Sequence, residues 1–187
     1  MYPTYVSRAV RRDVDQIFYL VNEAFQIETG NEGIAYRSGE KYHLKDQTRK
    51  HIADMLVLRD HKQILGVIKS SFHNGTCDIG LIAVHPEHQG MGYGAKLMEA
   101  AETRNKASRF TVGLASCRSD VIPFFEKRGY KQLVEKPIEE MRKLYPEDLA
   151  EKFVSRDDIC WTIFVKKNSV CENGDEDDGY QYNAQRE

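Results

Sequence analysis

Apolar residues alternate with polar ones in several short stretches of the chain and recur at helical spacing in others. Alternating or compact β-rich runs predict strands at 5–10, 55–59, 64–72, 78–84, 110–116, 130–135 and 160–166. Helical periodicity and capping residues predict helices at 13–24, 47–54, 92–106 and 120–128, and a short one from Pro146. This mixture predicts an α/β (α+β) domain with a central sheet and helices on both faces.

Length and composition limit the protein classes that need considering. With 187 residues, 41% of them hydrophobic, the chain is long enough for one domain with a substantial core. A formal net charge of −2 argues against a nucleic-acid binder, and we expect no nucleic-acid partner. No apolar run approaches the ~20 residues that span a bilayer, so we expect no membrane association. The four cysteines are widely spaced, which favours reduced thiols, no metal and a cytoplasmic (intracellular) location.

The charge is unevenly distributed along the chain. From residue 168 to 187 there are six acidic residues, one basic residue and almost no aliphatic ones. Such a segment cannot bury enough apolar surface to offset the entropy lost on ordering. We therefore predict a domain at 1–167 and an acidic disordered tail at 168–187.

The segment from residue 78 to 106 carries the clearest chemical signal. Gly90, Gly92 and Gly94 lie where an apolar strand is followed by a helix. Glycines let the backbone approach a ligand, and the first turn of a helix offers unpaired N–H groups at its positive end. Together they indicate a phosphate or pyrophosphate site, with a ligand-free, glycine-rich helix start as the alternative. The spacing matches neither the dinucleotide fingerprint nor the P-loop.

Two motifs resemble those of the GNAT superfamily of N-acyltransferases. The run from Gln89 to Gly94 matches Q-x-x-G-x-G, the family's acyl-CoA pyrophosphate motif, and it follows an apolar strand ending in Ala83-Val84-His85-Pro86. The run from Pro123 to Tyr130 is similar to the family's F-Y-E-K-x-G-F signature. The resemblance covers about residues 5–167 and implies the GNAT fold, a mixed sheet of about seven strands.

The resemblance also implies where the coenzyme binds. Backbone groups of Ile82, Ala83 and Val84 would pair with the pantetheine arm of acetyl-CoA, in a gap where the strands at 78–84 and 110–116 splay apart. N–H groups from Gln89 to Ala95 would hold the pyrophosphate, and the helix at 120–128 would flank the coenzyme on its far side. The coenzyme-binding residues are thus Ile82, Ala83, Val84, Gln89, Gly90, Met91, Gly92, Tyr93, Gly94, Ala95, Phe124 and Lys127.

Acyl transfer to an amine requires the neutral amine. A lysine-like amine is about 3.4 pH units from neutral at pH 7, an unfavourable term of roughly 4.6 kcal/mol. In several members of the family a glutamate at the start of the strand before the motif acts as general base, and the matching position here is Asp78. A turn residue is the alternative role for Asp78. His73 and His85 are the other candidate bases, although a cap or surface role is favoured for His85.

The leaving thiolate lacks the family's usual acid. Phe125 stands where F-Y-E-K has its tyrosine, so water, Ser116 or Cys117 are left as alternative proton donors. Restoring the hydroxyl with Phe125→Tyr is expected to be tolerated and to speed turnover. The missing hydroxyl also keeps a second hypothesis open, in which the protein binds CoA but turns over slowly or not at all.

The amine acceptor is expected to enter opposite the coenzyme, between the segments at 28–45 and 136–159. Both are rich in Tyr, Glu and Lys, and they include Tyr36, Tyr42, Glu139, Glu140 and Tyr145. Acidic side chains there could attract a cationic amine, and a solvated surface explains the same charges. The expected partners are acetyl-CoA and an amine of a small molecule or peptide, bound by a monomer or homodimer.

Overall fold

The computed structural model describes residues 3–25, 45–61, 63–73, 75–137 and 160–168. The helix predicted from Pro146, nearly all of both acceptor segments and residues 169–187 lie outside the described part of the chain. Within it, no helix is both long and apolar enough to cross a membrane.

The described chain forms seven strands and four α-helices in the predicted order. The strands are β1 (Tyr5–Arg8), β2 (Met55–Arg59), β3 (Ile64–His73), β4 (Thr76–Val84), β5 (Arg109–Ala115), β6 (Lys131–Pro137) and β7 (Cys160–Lys167). The helices are α1 (Val14–Ala24), α2 (Lys45–His51), α3 (Tyr93–Arg104) and α4 (Ile122–Glu126). The predicted helix at 120–128 is thus shorter, because a 3₁₀ segment from Ser116 to Val121 precedes it.

All seven strands join one mixed sheet in the order β1-β2-β3-β4-β5-β7-β6. Neighbouring strands are antiparallel except β4 and β5, which are parallel. Helix α3 makes this parallel connection, as parallel neighbours require a crossover. The predicted seven-stranded α+β sheet is therefore confirmed.

A hydrophobic core lies on each face of the sheet. The predicted helical positions Ile17, Leu20, Val21 and Ala24 are all buried and pack on one face with residues of β2, β3 and β4. On the other face, α3 contributes Leu97 and Met98, and α4 contributes Phe125. The cores place α1 and α3 on opposite sides, so the two faces of β4 meet different helices.

Strand β4 contains a bulge at Gly80. Lys69 of β3 pairs with Leu81, whereas the next residue, Ser70, pairs with Ile79, so Gly80 is the extra residue. A bulge shifts the alternation of side chains between the two faces. Ile79 and Ile82 consequently both pack on the α3 side, while Leu81 packs on the α1 side.

Candidate active site

The parallel strands β4 and β5 separate halfway along β4. Their pairing runs from Thr76 opposite Arg109 to Ile79 opposite Val112, and the described parts of the two strands share no pair beyond it. From Leu81 to Val84, β4 stays paired to β3 alone. This split leaves the β5-facing edge of β4 without a strand partner in the described residues. Of the three residues expected to pair with the pantetheine arm, Ile82 and Val84 have their backbone groups on this edge. Those of Ala83 face β3, as do those of His85, whose N–H donates to Leu65 at 2.9 Å.

The glycine-rich turn after β4 presents the start of α3 at this opening. Gly92 is the N-cap, with φ 79°, and it makes no side-chain capping bond. The first intrahelical bond runs from the Lys96 N–H to the Gly92 carbonyl, at 3.2 Å. The N–H groups of Tyr93, Gly94 and Ala95 therefore precede the helical ladder, as expected for an anion-binding helix start. At Gly90 and Gly92, an added Cβ would meet no atom within 4 Å.

Gln89 and His85 brace the loop that leads to this helix. The Gln89 side chain donates to the Val84 carbonyl at 3.1 Å, and its backbone N–H donates to Pro86 at 3.3 Å. The N–H group of Gln89, expected to hold pyrophosphate, is thus engaged within the loop. His85 Nδ1 accepts from the Glu87 N–H at 3.3 Å, and Nε2 lies 3.2 Å from Glu23. These contacts agree with the cap role favoured for His85.

Phe124 of α4 packs directly against the start of α3. A Cβ on Gly94 would lie 3.3 Å from two ring atoms of Phe124 and 4.0 Å from Ile82. The Arg128 guanidinium lies 3.7 Å from the Phe124 ring centroid and donates to the Phe124 carbonyl. A side chain at position 94 would therefore crowd the Phe124 ring, and glycine avoids this contact between α3 and α4.

Lys127 is exposed at the end of α4, beside a groove between α3 and α4. The groove has a volume of about 380 Å³ and is lined by Ala95, Met98, Glu99, Glu102, Lys127 and Arg128. Lys127 and Ala95, in the first turn of α3, thus line the same groove. One extended coenzyme could contact both.

Asp78 lies inside β4, which contradicts the alternative of a turn residue. It pairs with Ser71 of β3 and with Thr111 of β5, one position before the strands separate. Cys77 and Ile79, its chain neighbours, pack in the α3-side core, so Asp78 faces the α1 side. Its Oδ1 accepts a hydrogen bond from Thr111 Oγ1 at 2.8 Å. A carboxylate therefore lies at the base of the split, on the face opposite α3 and α4.

Cys77 is fully buried next to Asp78. Burial and the charge of Asp78 raise the pKa of the Cys77 thiol to about 11. A thiol in this state is protonated at neutral pH and is a poor nucleophile. The side chains of His73, Ser116 and Cys117, named above as candidate proton carriers, lie outside what the structure describes.

Phe125 points into the core. It is 1% exposed, and its ring centroid lies 5.0 Å from that of Phe124, 5.9 Å from Tyr130 and 6.5 Å from Phe164. Tyr130 in turn donates to Glu102 at 2.9 Å, and burial together with the Glu102 charge raises the pKa of Tyr130. A hydroxyl added to the buried Phe125 ring would lie among these three rings, so the structure favours destabilisation by Phe125→Tyr over the tolerance expected from the sequence.

Sequence patterns did not identify two residues beside Asp78. Thr111 donates to its carboxylate, and Gly80 lies beside it, because a Cβ on Gly80 would be in van der Waals contact with Asp78 Oδ2 at 3.8 Å. A threonine in a strand and a single glycine are unremarkable in the sequence, so Thr111 is revealed by the register of β4 against β5, and Gly80 by the register of β4 against β3. Among the described residues, no group of three or more His, Cys, Asp or Glu side chains is arranged to hold a metal ion.

Known proteins share both the domain and the architecture. Residues 51–132 match the family model of the acetyltransferase (GNAT) domain. The ribosomal-protein-S18-alanine N-acetyltransferase from Escherichia coli is 12% identical, with a TM-score of 0.64 over 88% of this chain and 94% of that one. PaiA N-acetyltransferase from Thermoplasma acidophilum, solved with coenzyme A, is 14% identical, with a TM-score of 0.66 over 89% and 99%.

A third similar structure is N-acetylglutamate synthase from Neisseria gonorrhoeae, complexed with coenzyme A and L-arginine. It is 17% identical, with a TM-score of 0.56 over 90% of this chain and 34% of that one. No curated protein sequence matches the chain. The family match covers β2 to the start of β6, which includes the split strands, the glycine turn and α4. The chain thus has the GNAT fold, and its residues 51–132 match the acetyltransferase (GNAT) domain.

Proposed function

We propose that the protein is an N-acetyltransferase that moves the acetyl group of acetyl-CoA to a primary amine of a small molecule or peptide. The amine attacks directly while both substrates are bound. The observation that carries the proposal is the split between β4 and β5, which opens beside the uncapped start of α3. Coenzyme A in two structures of similar fold supports the choice of ligand. The expected cytoplasmic location is part of this proposal.

Residues of β4, of the α3 start and of α4 bind different parts of the coenzyme. N–H groups of Gly90 to Ala95 bind the pyrophosphate, and the helix end stabilises its charge. Backbone groups of Ile82 and Val84 on the open edge of β4 align the pantetheine arm, and one of their N–H groups stabilises the developing oxyanion. Phe124 and Lys127 flank the coenzyme from α4.

Asp78 acts as general base from the opposite face. It accepts the proton that the amine must lose, directly or through one water molecule, since aspartate is shorter than the family's glutamate. The departing thiolate has a conjugate acid of pKa near 8.5, so it leaves without a tyrosine. The second candidate, a CoA-binding protein with little turnover, is favoured by one observation, the buried Phe125 in place of that tyrosine.

Coenzyme binding is tested first by thermal unfolding with and without CoA. A ligand at 100 times its Kd stabilises the folded state by about 2.7 kcal/mol, so millimolar CoA should raise Tm by several degrees. Gly92→Asp places a carboxylate at the anion site and should weaken CoA binding at least about tenfold. Gly129→Asp is the matched control, because Gly129 also has a positive φ and open space around it. Equal effects of the two substitutions on CoA affinity would contradict the assigned site.

Turnover is tested by thiol release from acetyl-CoA across a library of amines, with the product confirmed by mass spectrometry. Amine-dependent release that falls at least about 100-fold in Asp78→Asn supports the transferase with its general base. CoA binding with no amine-dependent release would favour the second candidate.

A further inference from the structure

A buried hydroxyl group holds the proposed general base. Thr111 is 2% exposed in the middle of β5, and its Oγ1 lies 2.8 Å from Asp78 Oδ1. An ionised carboxylate can only accept hydrogen bonds, so the threonine is the donor. We infer that Thr111 is a positioning residue for amine acetylation, which fixes the Asp78 carboxylate at the base of the split. The inference rests on the proposed function.

The position of the pair in the sheet supports this role. Asp78 and Thr111 are direct partners in the parallel ladder, and only the pair of Ile79 and Val112 follows before the strands separate. The hydrogen bond therefore spans the two strands at the point from which the split opens. Because Thr111 belongs to β5 and Asp78 to β4, the hydrogen bond fixes the carboxylate relative to both strands that border the split.

The hydrogen bond also orients the two carboxylate oxygens. Oδ1 is held by Thr111, and Oδ2 lies on the side of the bulge, 3.8 Å from where Gly80 would carry a Cβ. Threonine has a stiff χ1 torsion in a strand, so the donor itself has little freedom to turn. Oδ2 therefore lies on the side of Gly80, the residue from which β4 no longer pairs with β5.

Other polar groups pack around the pair from the neighbouring strands. Ser71 of β3 pairs with Asp78. Lys69, two residues earlier in β3, lies on the same face of the sheet as Ser71. Cys77 faces the other side of the sheet and is protonated at neutral pH. These neighbouring groups are the same in the parent protein and in the Thr111 variants. A difference in the Asp78 titration between them therefore reports the change at Thr111.

The test compares Thr111→Val, which keeps the shape and removes the donor, with Thr111→Ser, which keeps the donor. Thr162→Val is the control, because Thr162 is similarly buried, at 5% exposure, on the neighbouring strand β7. Two quantities are measured: the pH profile of kcat/KM, and the titration of the Asp78 carboxyl carbon by NMR in the coenzyme-free protein.

Removing a donor to an anion disfavours the anion. Thr111→Val should therefore raise the midpoint of the Asp78 titration and the acid limb of the profile by about one pH unit, and lower kcat/KM about tenfold. Thr111→Ser should stay within about threefold of the parent, and Thr162→Val should leave both midpoints unchanged. If Thr111→Val does not fold, Thr111→Ala against Thr111→Ser gives the same comparison.

An Asp78 midpoint that is the same in Thr111→Val and in the parent would overturn the inference. So would a Thr111→Ser variant as impaired as Thr111→Val, since the hydroxyl would then not be the group that matters. An Asp78→Asn variant as active as the parent would instead overturn the proposed general base, whatever happens at Thr111.

Discussion

Adding one oxygen to Phe125 tests how the helix α4 packs under the split. The ring is 1% exposed and lies among the rings of Phe124, Tyr130 and Phe164. A tyrosine hydroxyl placed there without a partner costs about 1–3 kcal/mol, and crowding adds to this. We therefore expect Phe125→Tyr to lower the free energy of unfolding by about 2 kcal/mol, or Tm by roughly 4–8 °C.

The assay is urea unfolding followed by circular dichroism, together with a thermal melt. Phe72→Tyr is the matched control, because Phe72 is 49% exposed on β3 and its new hydroxyl would reach water. Surface changes of this kind stay within about 0.5 kcal/mol. Unchanged stability of Phe125→Tyr combined with faster acetyl transfer would refute the packing argument. The hydroxyl would then reach the split, as the family signature first suggested.

Three further outcomes are expected. Asp13→Asn should lower the free energy of unfolding in urea by about 3 kcal/mol, because the Asp13 side chain is 4% exposed and pairs with Arg59 at 2.8 Å. Asp15→Asn, at the exposed pair with Lys45, should lower it by less than about 1 kcal/mol, and equal losses would contradict the difference in burial. The free energy of unfolding should fall as pH rises from about 8.5 toward 11. The pKa of the Cys77 thiol is raised in the folded protein, so the unfolded chain loses the thiol proton at lower pH than the folded one. Cys77→Ala should make this fall shallower, and an identical slope in both proteins would refute the argument. Truncation after Asn168 should leave Tm and CoA binding unchanged, since Asn168 itself bonds Ala107 and Ser108, and a large loss of Tm would show that the acidic segment packs on the domain.

Local sequence patterns were sufficient for the elements of the described residues and for the glycine-rich turn before α3. The spacing of Ile17, Leu20, Val21 and Ala24 specifies one buried helical face, and all four residues are buried. The glycines at 90 and 92 adopt the positive φ values for which glycine is needed. These properties depend on residues close in the chain, so the sequence by itself determined them.

The candidate base and its surroundings depended on tertiary structure. Asp78 and Thr111 are 33 positions apart, and they meet only because β4 and β5 pair in one register. The bulge at Gly80 turns Asp78 and Ile82 to opposite faces, which alternation along the strand alone does not predict. The burial of Phe125 likewise follows from rings on α4, β7 and the residue before β6. Such contacts join distant residues, and their geometry is set by the whole sheet rather than by any local pattern.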